Sequence, residues 1–347
     1  MSELRVDPLT GEKAIIAAER GRRPGGLAQV EPPPPIDRQS DPFAEGNEHL
    51  TPPELYALRP NGGPSNGPGW QVRVLPNLFP ALDHREGEED PALAEAERRR
   101  RSAGPLSSHN LRLELFSAQP ALGSHEVIVN SPRCVATLAQ LTEEELATAF
   151  AVWQERFRSH RDSAYVQLIV NERREAGASL PHTHAQLFAL PFVPAQLARE
   201  RERYYAYAQR SGGDNLMADL VAEELRLGER VVAVGEQTAL LAPYASRLPY
   251  ELMVVPRRPA PRFEEAPAEA ARLLGEGVRR LAALFGAPPP LNIYLRTAPA
   301  GAEQFSWRIA IAPRVGQIAG LELGAGLYLN PVSPEAAAAR LRELQGG

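Results

Sequence analysis

The feature that most constrains this 347-residue chain is a pattern that occurs twice. His125-Glu126-Val127-Ile128-Val129-Asn130 is followed by a helix signal and by a β-rich run from Ala164 to Asn171. Tyr250-Glu251-Leu252-Met253-Val254-Val255 is followed by a helix signal over Glu269 to Phe285 and a run from Leu291 to Arg296. Glu126 stands 56 residues before His182, and Glu251 stands 56 before Trp307, so order and spacing recur together. A duplicated unit buries the same faces twice, which predicts an α+β fold of two tandem repeats, each an antiparallel sheet with packed helices. We place the first repeat at residues 1–193 and the second at 194–347, with the Ala-, Glu-, Arg- and Leu-rich stretch Pro194 to Arg230 as connecting helix. A hydrophobic content of 43% supplies the apolar surface that two such units require.

Other elements are placed by local signals. Leu4 to Arg23 reads as a strand pair around the Asp7-Pro8-Leu9-Thr10-Gly11 turn. Residues 31–53, with Pro32 to Pro35, read as a covering segment, and Gln71 to Leu75 as a strand. Residues 83–108 are charged, poor in aromatics and bounded by Gly104-Pro105, which marks an insertion. The first repeat's helix opens with a capping box, Thr142 to Glu145, and carries Leu146, Phe150, Trp153 and Phe157 at helical spacing. A last helix starts at Pro334.

Chemistry concentrates between Asn171 and Pro191. His182, His184 and Gln186 fall at i, i+2 and i+4, which on an extended strand puts all three on one face. Such a face can bind metal, attack a phosphorus or carbonyl centre, or satisfy buried polar groups. Gly177-Ala178-Ser179 just before it offers a turn with free amides and a hydroxyl, suited to phosphate oxygens. All seven histidines lie at or before His184, so imidazole chemistry belongs to the first repeat.

Charge and cysteine content narrow the classes. A net charge of -5 argues against a sequence-independent nucleic-acid binder. The single cysteine, Cys134, excludes an intrachain disulfide and a four-cysteine zinc site. With no apolar signal core in the first residues and no run of about 18 apolar residues, we expect a cytosolic protein that neither spans nor crosses a membrane.

Asn171, Gly177-Ala178-Ser179 and Pro181-His182-Thr183-His184-Ala185-Gln186 resemble the active-site segment of the galactose-1-phosphate uridylyltransferase family, a branch of the histidine-triad superfamily. Asp7 to Gly11, Arg20 to Pro24, Gly46-Asn47-Glu48, Pro76 to Leu82, Gly123 to Val129 and Ile318 to Glu335 resemble family segments in the same order. The resemblance implies two histidine-triad repeats with one catalytic half. It also implies transfer of a nucleoside monophosphate between a nucleotide sugar and a sugar 1-phosphate, with UDP-glucose and galactose-1-phosphate as the default pair, by a homodimer. It makes His184 the nucleophile that forms a nucleotidyl-histidine, Gln186 a donor to a phosphate oxygen, and His182 the first histidine of the catalytic motif. It sets Arg20, Arg23, Asn171, Gly177 and Ser179 near phosphates, and Asn77 and Phe79 at the nucleoside. Leu78 replaces the family's acid there, which opens the nucleobase. Two alternatives stand: a dinucleoside polyphosphate or ADP-sugar phosphorylase using inorganic phosphate, and a nucleotide-binding protein without turnover.

The departures concern metals and sugar. Where many members hold a structural zinc with a Cys-x-x-Cys pair and two histidines, this chain has Asp41, Ala44, Cys134 and His182. Asp41, Cys134 and His182 remain as candidate zinc ligands, and the resemblance implies a lost site and no required cofactor. At a second metal site in the carboxyl-terminal copy the positions are Ser306 and Arg308. Gln304, Glu322 and Asn330 are candidates for hexose recognition. His125 and His160 are expected to be structural or on the surface.

Overall fold

The computed structural model describes residues 2–22, 27–83 and 120–344; Arg23 and all of the expected insertion except Asp83 lie outside the described residues. The chain forms β1 (Glu3–Val6), β2 (Lys13–Ile16), β3 (Tyr56–Leu58), β4 (Val72–Pro76) and β5 (Ser124–Val129), then helix α1 (Glu143–Ser159), β6 (Tyr165–Glu172) and β7 (His184–Leu190). Helices α2 (Ala195–Ser211) and α3 (Leu216–Leu227) lead to β8 (Val231–Val234), β9 (Thr238–Leu241), β10 (Leu252–Pro256), α4 (Glu269–Phe285), β11 (Leu291–Arg296) and β12 (Arg308–Pro313). Helix α5 (Gly320–Ala325), β13 (Leu327–Asn330) and α6 (Pro334–Arg342) close the described chain.

Ten strands form one sheet in the order β3-β4-β5-β7-β6-β11-β12-β10-β9-β8. The first five belong to the first repeat and the last five repeat the same arrangement in reverse, so the two expected sheets join edge to edge. The seam is antiparallel, with Asn171 opposite Asn292 and Val170 opposite Ile293. A small sheet, β1-β2-β13, clasps the two ends of the described chain through parallel pairing of Leu327–Asn330 with Lys13–Ile16. Its residues Ala14 and Ile16 pack on Ala245 of the second repeat.

Helices α1 and α4 cover one face of the sheet in a shared core that includes Phe150, Trp153, Leu274, Leu281, Ala185, Leu187, Ile309 and Ile311. Both helices arise from apolar residues at helical spacing, and burying each large side chain stabilises by about 2–3 kcal/mol. The capping box at Thr142 is present, with Glu145 N donating to Thr142 Oγ1 and Thr142 N to Glu145 Oε2. On the opposite face α2 and α3 cover the second repeat through Leu197, Tyr204, Met217 and Val221. Over the first repeat that face carries Phe43 and Trp70 packed on Leu75, Val127 and Val129, so the proline-rich segment does act as a cover.

One detail of the duplication changes in three dimensions. Val129 faces His184 and Val254 faces Ile309, the constant shift of 125 residues that the spacing predicts. Yet Trp307 and Ile309 point into the helix-side core, whereas on β7 that side is taken by Ala185 and Leu187. A slip of one residue exchanges the faces of a strand. The second repeat therefore presents Arg308, not Trp307, on the face that carries His184 and Gln186.

Candidate active site

Strand β7 begins at His184, so the extended run starts two residues later than the sequence suggests, and His182 lies in the turn ahead of it. That turn is fixed from behind. Trp153 Nε1 donates to Asn130 Oδ1 at 3.0 Å, Asn130 Nδ2 donates to Thr183 Oγ1 at 3.3 Å, and Asn130 N donates to Thr183 O.

The His184 ring is buried, with the edge of Phe43 at 5.3 Å between centroids. Its Nδ1 lies 2.7 Å from the carbonyl oxygen of His182. A carbonyl can only accept, so Nδ1 carries the proton and Nε2 keeps its lone pair. Nε2 has no hydrogen-bond partner among the described residues. Burial lowers the pKa of this imidazole, the His182 carbonyl working the other way, and the neutral ring is favoured. A neutral imidazole with one nitrogen pinned and the other open is a nucleophile of fixed tautomer. Gln186, two residues on, shares its face.

His182 is enclosed. Its Nδ1 is 2.6 Å from Asp41 Oδ2 and its Nε2 is 2.8 Å from the Ser131 carbonyl oxygen. Asp41 also accepts from Phe43 N at 3.0 Å, and the hydrogen bond and charge of His182 hold its carboxyl below the usual range despite burial. Asp41, Cys134 and His182 each offer a ligand atom, and these lie within 4.8 Å of one another. The donor set fits tetrahedral zinc poorly, because Ala44 adds no ligand and both His182 nitrogens already face oxygens. Burial and Asp41 raise the Cys134 pKa, which disfavours the thiolate that zinc requires.

Around this centre the structure gathers a polar rim. Asn171 accepts from Asn292 Nδ2 through Oδ1 at 2.8 Å, and Asn292 also donates to Ala176 O and accepts from Arg314. The second repeat thereby fixes the Asn171 amide with its NH2 group towards Gly177, whose φ of +93° needs a glycine. Ser179 and Gly177 are exposed at this turn. Asn77 accepts from Phe79 N at 2.9 Å, and Phe79 is 84% exposed beside Leu78 at 62%, an apolar tip free to meet a ring. His125 bridges the two sides: its Nε2 is 3.0 Å from Gln186 Oε1 and its Nδ1 accepts from Ala81 N at 3.1 Å. The expectation of a structural or surface His125 missed this contact, for which the strand pairing of His125 with Phe188 was the hidden signal.

Comparison with known proteins decides the relationship. The sequence profile described as galactose-1-phosphate uridyl transferase, N-terminal domain, matches residues 1–194, and one described only as a domain of unknown function matches residues 123–345. The chain belongs to the galactose-1-phosphate uridylyltransferase family. It is 27% identical to an ADP-glucose phosphorylase of Arabidopsis thaliana over 99% of this chain and 93% of that protein. It is 26% identical to a galactose-1-phosphate uridylyltransferase of Thermotoga maritima over 99% of both. A crystal structure of an Arabidopsis thaliana ADP-glucose phosphorylase with bound ADP-glucose shares the fold, with a TM-score of 0.76 at 24% identity over 99% of this chain and 100% of the other. These relationships make the chain an enzyme of the nucleotidyltransferase and phosphorylase kind.

In this member of the uridylyltransferase family the second repeat has filled its own counterpart of the site. Arg308 is buried and ion-paired with Glu200, and Ser306 Oγ donates to Ala260 O at 3.4 Å. Two of the hexose candidates are engaged in backbone contacts. Asn330 is fully buried and donates to Ser246 O and Leu248 O, while Glu322 accepts from Ala319 N and Leu329 N. The backbone oxygen of Gln304 accepts from Asn215. Arg20 lies in a short 3-10 turn and lines a cleft with Arg247, Leu321 and Tyr328, with no described contact to His184. His160 is structural, paired with the buried Glu126 at 2.7 Å beside Arg156. Among the described residues no helix is long and apolar enough to cross a membrane.

Proposed function

We propose that this enzyme moves a nucleoside monophosphate from a nucleotide sugar to a phosphate-bearing acceptor through covalent attachment to His184. The observation that carries the reading is the His184 ring, pinned at Nδ1 by the His182 carbonyl and open at Nε2. The Nε2 lone pair forms a bond to the α-phosphorus while the bond from phosphorus to the bridging oxygen breaks, and sugar 1-phosphate leaves. An oxygen of the acceptor phosphate then attacks the same phosphorus, and the electron pair of the P–N bond returns to Nε2. The nucleotidylated ring carries positive charge, which the His182 carbonyl oxygen stabilises. Gln186 donates from its amide to a phosphate oxygen as charge builds there, and Asn171, Gly177 and Ser179 hold the remaining oxygens. An amide exchanges no proton, so Gln186 does not activate water and transfer outruns hydrolysis.

We favour ADP-glucose as donor and inorganic phosphate as acceptor, with Asn77 and Phe79 against the nucleoside. Leu78, apolar and exposed in place of an acid, supports this choice, as does the full-length match to the plant phosphorylase. UDP-glucose with galactose-1-phosphate is the second reading, supported by an equally complete match to the bacterial uridylyltransferase. The reading needs no metal, since the Asp41 contact fastens His182 where a zinc ion would. We further propose a cytosolic homodimer, which light scattering tests for assembly. Intact mass after mixing with ADP-glucose or UDP-glucose tests the chemistry. An adduct of AMP or UMP mass on wild type and none on His184→Ala is expected; no adduct with any nucleotide sugar refutes the covalent route. Discharge by phosphate against galactose-1-phosphate then separates the two readings.

A further inference from the structure

We propose that His125 is a positioning residue that holds the Gln186 carboxamide with its NH2 group turned to the transferred phosphate. This rests on the nucleotidyl-transfer reading and assigns a role that the motif itself does not contain. A backbone amide is a donor of fixed identity. The backbone N–H of Ala81 lies 3.1 Å from His125 Nδ1, so Nδ1 presents a lone pair. A neutral imidazole has one N–H, which therefore sits on Nε2, and the atom 3.0 Å from it is Gln186 Oε1. The amide oxygen is held by that N–H, and the amide's two donors are left for the other side.

Asn77 tests the assignment. Its Oδ1 accepts from Phe79 N at 2.9 Å, which leaves its NH2 group 3.1 Å from the same His125 Nε2. A ring protonated at Nδ1 would satisfy Asn77 alone, setting two N–H groups against each other at Ala81 and two lone pairs against each other at Gln186. The Nε2–H tautomer satisfies Ala81 and Gln186 together, so it is the favoured form. The stack on Phe188, with centroids 4.1 Å apart and planes at 24°, fixes the plane of the ring, and a half-turn within that plane would set carbons in place of both nitrogens and lose both contacts. Burial lowers its pKa, against the effect of the Gln186 contact, which keeps it neutral.

The consequence is electrostatic. A glutamine free to rotate presents its oxygen to an anionic phosphate about as readily as its donors, and the oxygen repels. A held amide is preorganised, and removing one such donor costs about 10²–10³ in rate.

The test is single-turnover formation of the nucleotidyl adduct from ADP-glucose and from UDP-glucose, with donor affinity measured separately on the His184→Ala background. His125→Phe keeps the stack on Phe188 and removes both nitrogens. We expect its rate to fall about tenfold or more, with donor affinity little changed. His125→Gln, whose amide can donate to Gln186 Oε1, should recover part of the rate, and it carries the test if the phenylalanine variant does not fold by circular dichroism. In a Gln186→Ala background neither His125 variant should lower the rate further. Equal losses in the two backgrounds, or a wild-type rate in both single variants, overturn the proposal while leaving nucleotidyl transfer intact. A wild type that forms no adduct overturns the transfer reading and this one with it.

Discussion

Glu172, the last residue of β6, lies one position beyond Asn171 and points to the helix side of the sheet. It is 1% exposed, its Oε1 accepts from Leu138 N at 2.5 Å, and its Oε2 has no partner. Burial is the larger influence and pushes its pKa from 4.5 up to about 8, the Leu138 hydrogen bond working against it. The sign follows from linkage: the folded state binds the proton more tightly than the unfolded chain, so stability falls as pH rises from the unfolded pKa to the folded one and is level beyond it. Each pKa unit corresponds to about 1.4 kcal/mol, so between pH 5 and pH 8 this residue removes about 3–4 kcal/mol. Glu172→Gln cannot ionise and escapes that loss. Urea unfolding of both proteins, followed by tryptophan fluorescence at unit steps of pH, should show the variant gaining on the wild type by that amount across the window. Groups other than Glu172 titrate alike in both and cancel. Two stability curves that stay parallel from pH 5 to pH 8 would show that Glu172 ionises freely, and the reasoning from its burial would fail.

Three further outcomes are expected. Asp41→Asn keeps the shape of the His182 contact but removes its charge, and thermal or urea unfolding should show a loss of about 3 kcal/mol, in the range for breaking a buried pair. Elemental analysis of protein purified without chelator should find well under one zinc per chain, and chelator should leave the melting temperature unchanged; stoichiometric zinc would contradict the reading of Asp41, Cys134 and His182. Asn292→Ala frees the Asn171 amide to turn, so donor affinity should fall roughly fivefold, about the 1 kcal/mol of one hydrogen bond, while the fold is retained.

The sequence made the duplication legible because strand and helix periodicities survive in both copies, and the bounds of α4 and β11 agree with the expected runs. It also singled out His184 and Gln186, since alternate positions on a strand share a face wherever that strand begins. What spacing could not supply was parity across the sheet: equal offsets in sequence paired His182 with Trp307, whereas the pleat puts Arg308 on the site's face. Nor could it show contacts between residues distant in the chain. His125 meets Gln186 only because β5 and β7 are neighbours, and Asn171 meets Asn292 only because β6 and β11 form the seam. Asp41 was identified by its place in a motif, but that it closes on His182 depends on the path of the proline-rich cover. Asn330 and Glu322 looked available as polar residues near the end of the chain; backbone groups that need partners have claimed them.

The seam between β6 and β11 also bears on how the chain can be divided. Cutting between the repeats would leave each with a raw central strand, β6 or β11, whose row of unpaired amides and carbonyls is flanked by Val170, Ile293 and Leu295. Exposed edges of that kind pair with copies of themselves. Half of this protein is therefore an aggregation template, and the second repeat serves the first as the strand that covers its open edge.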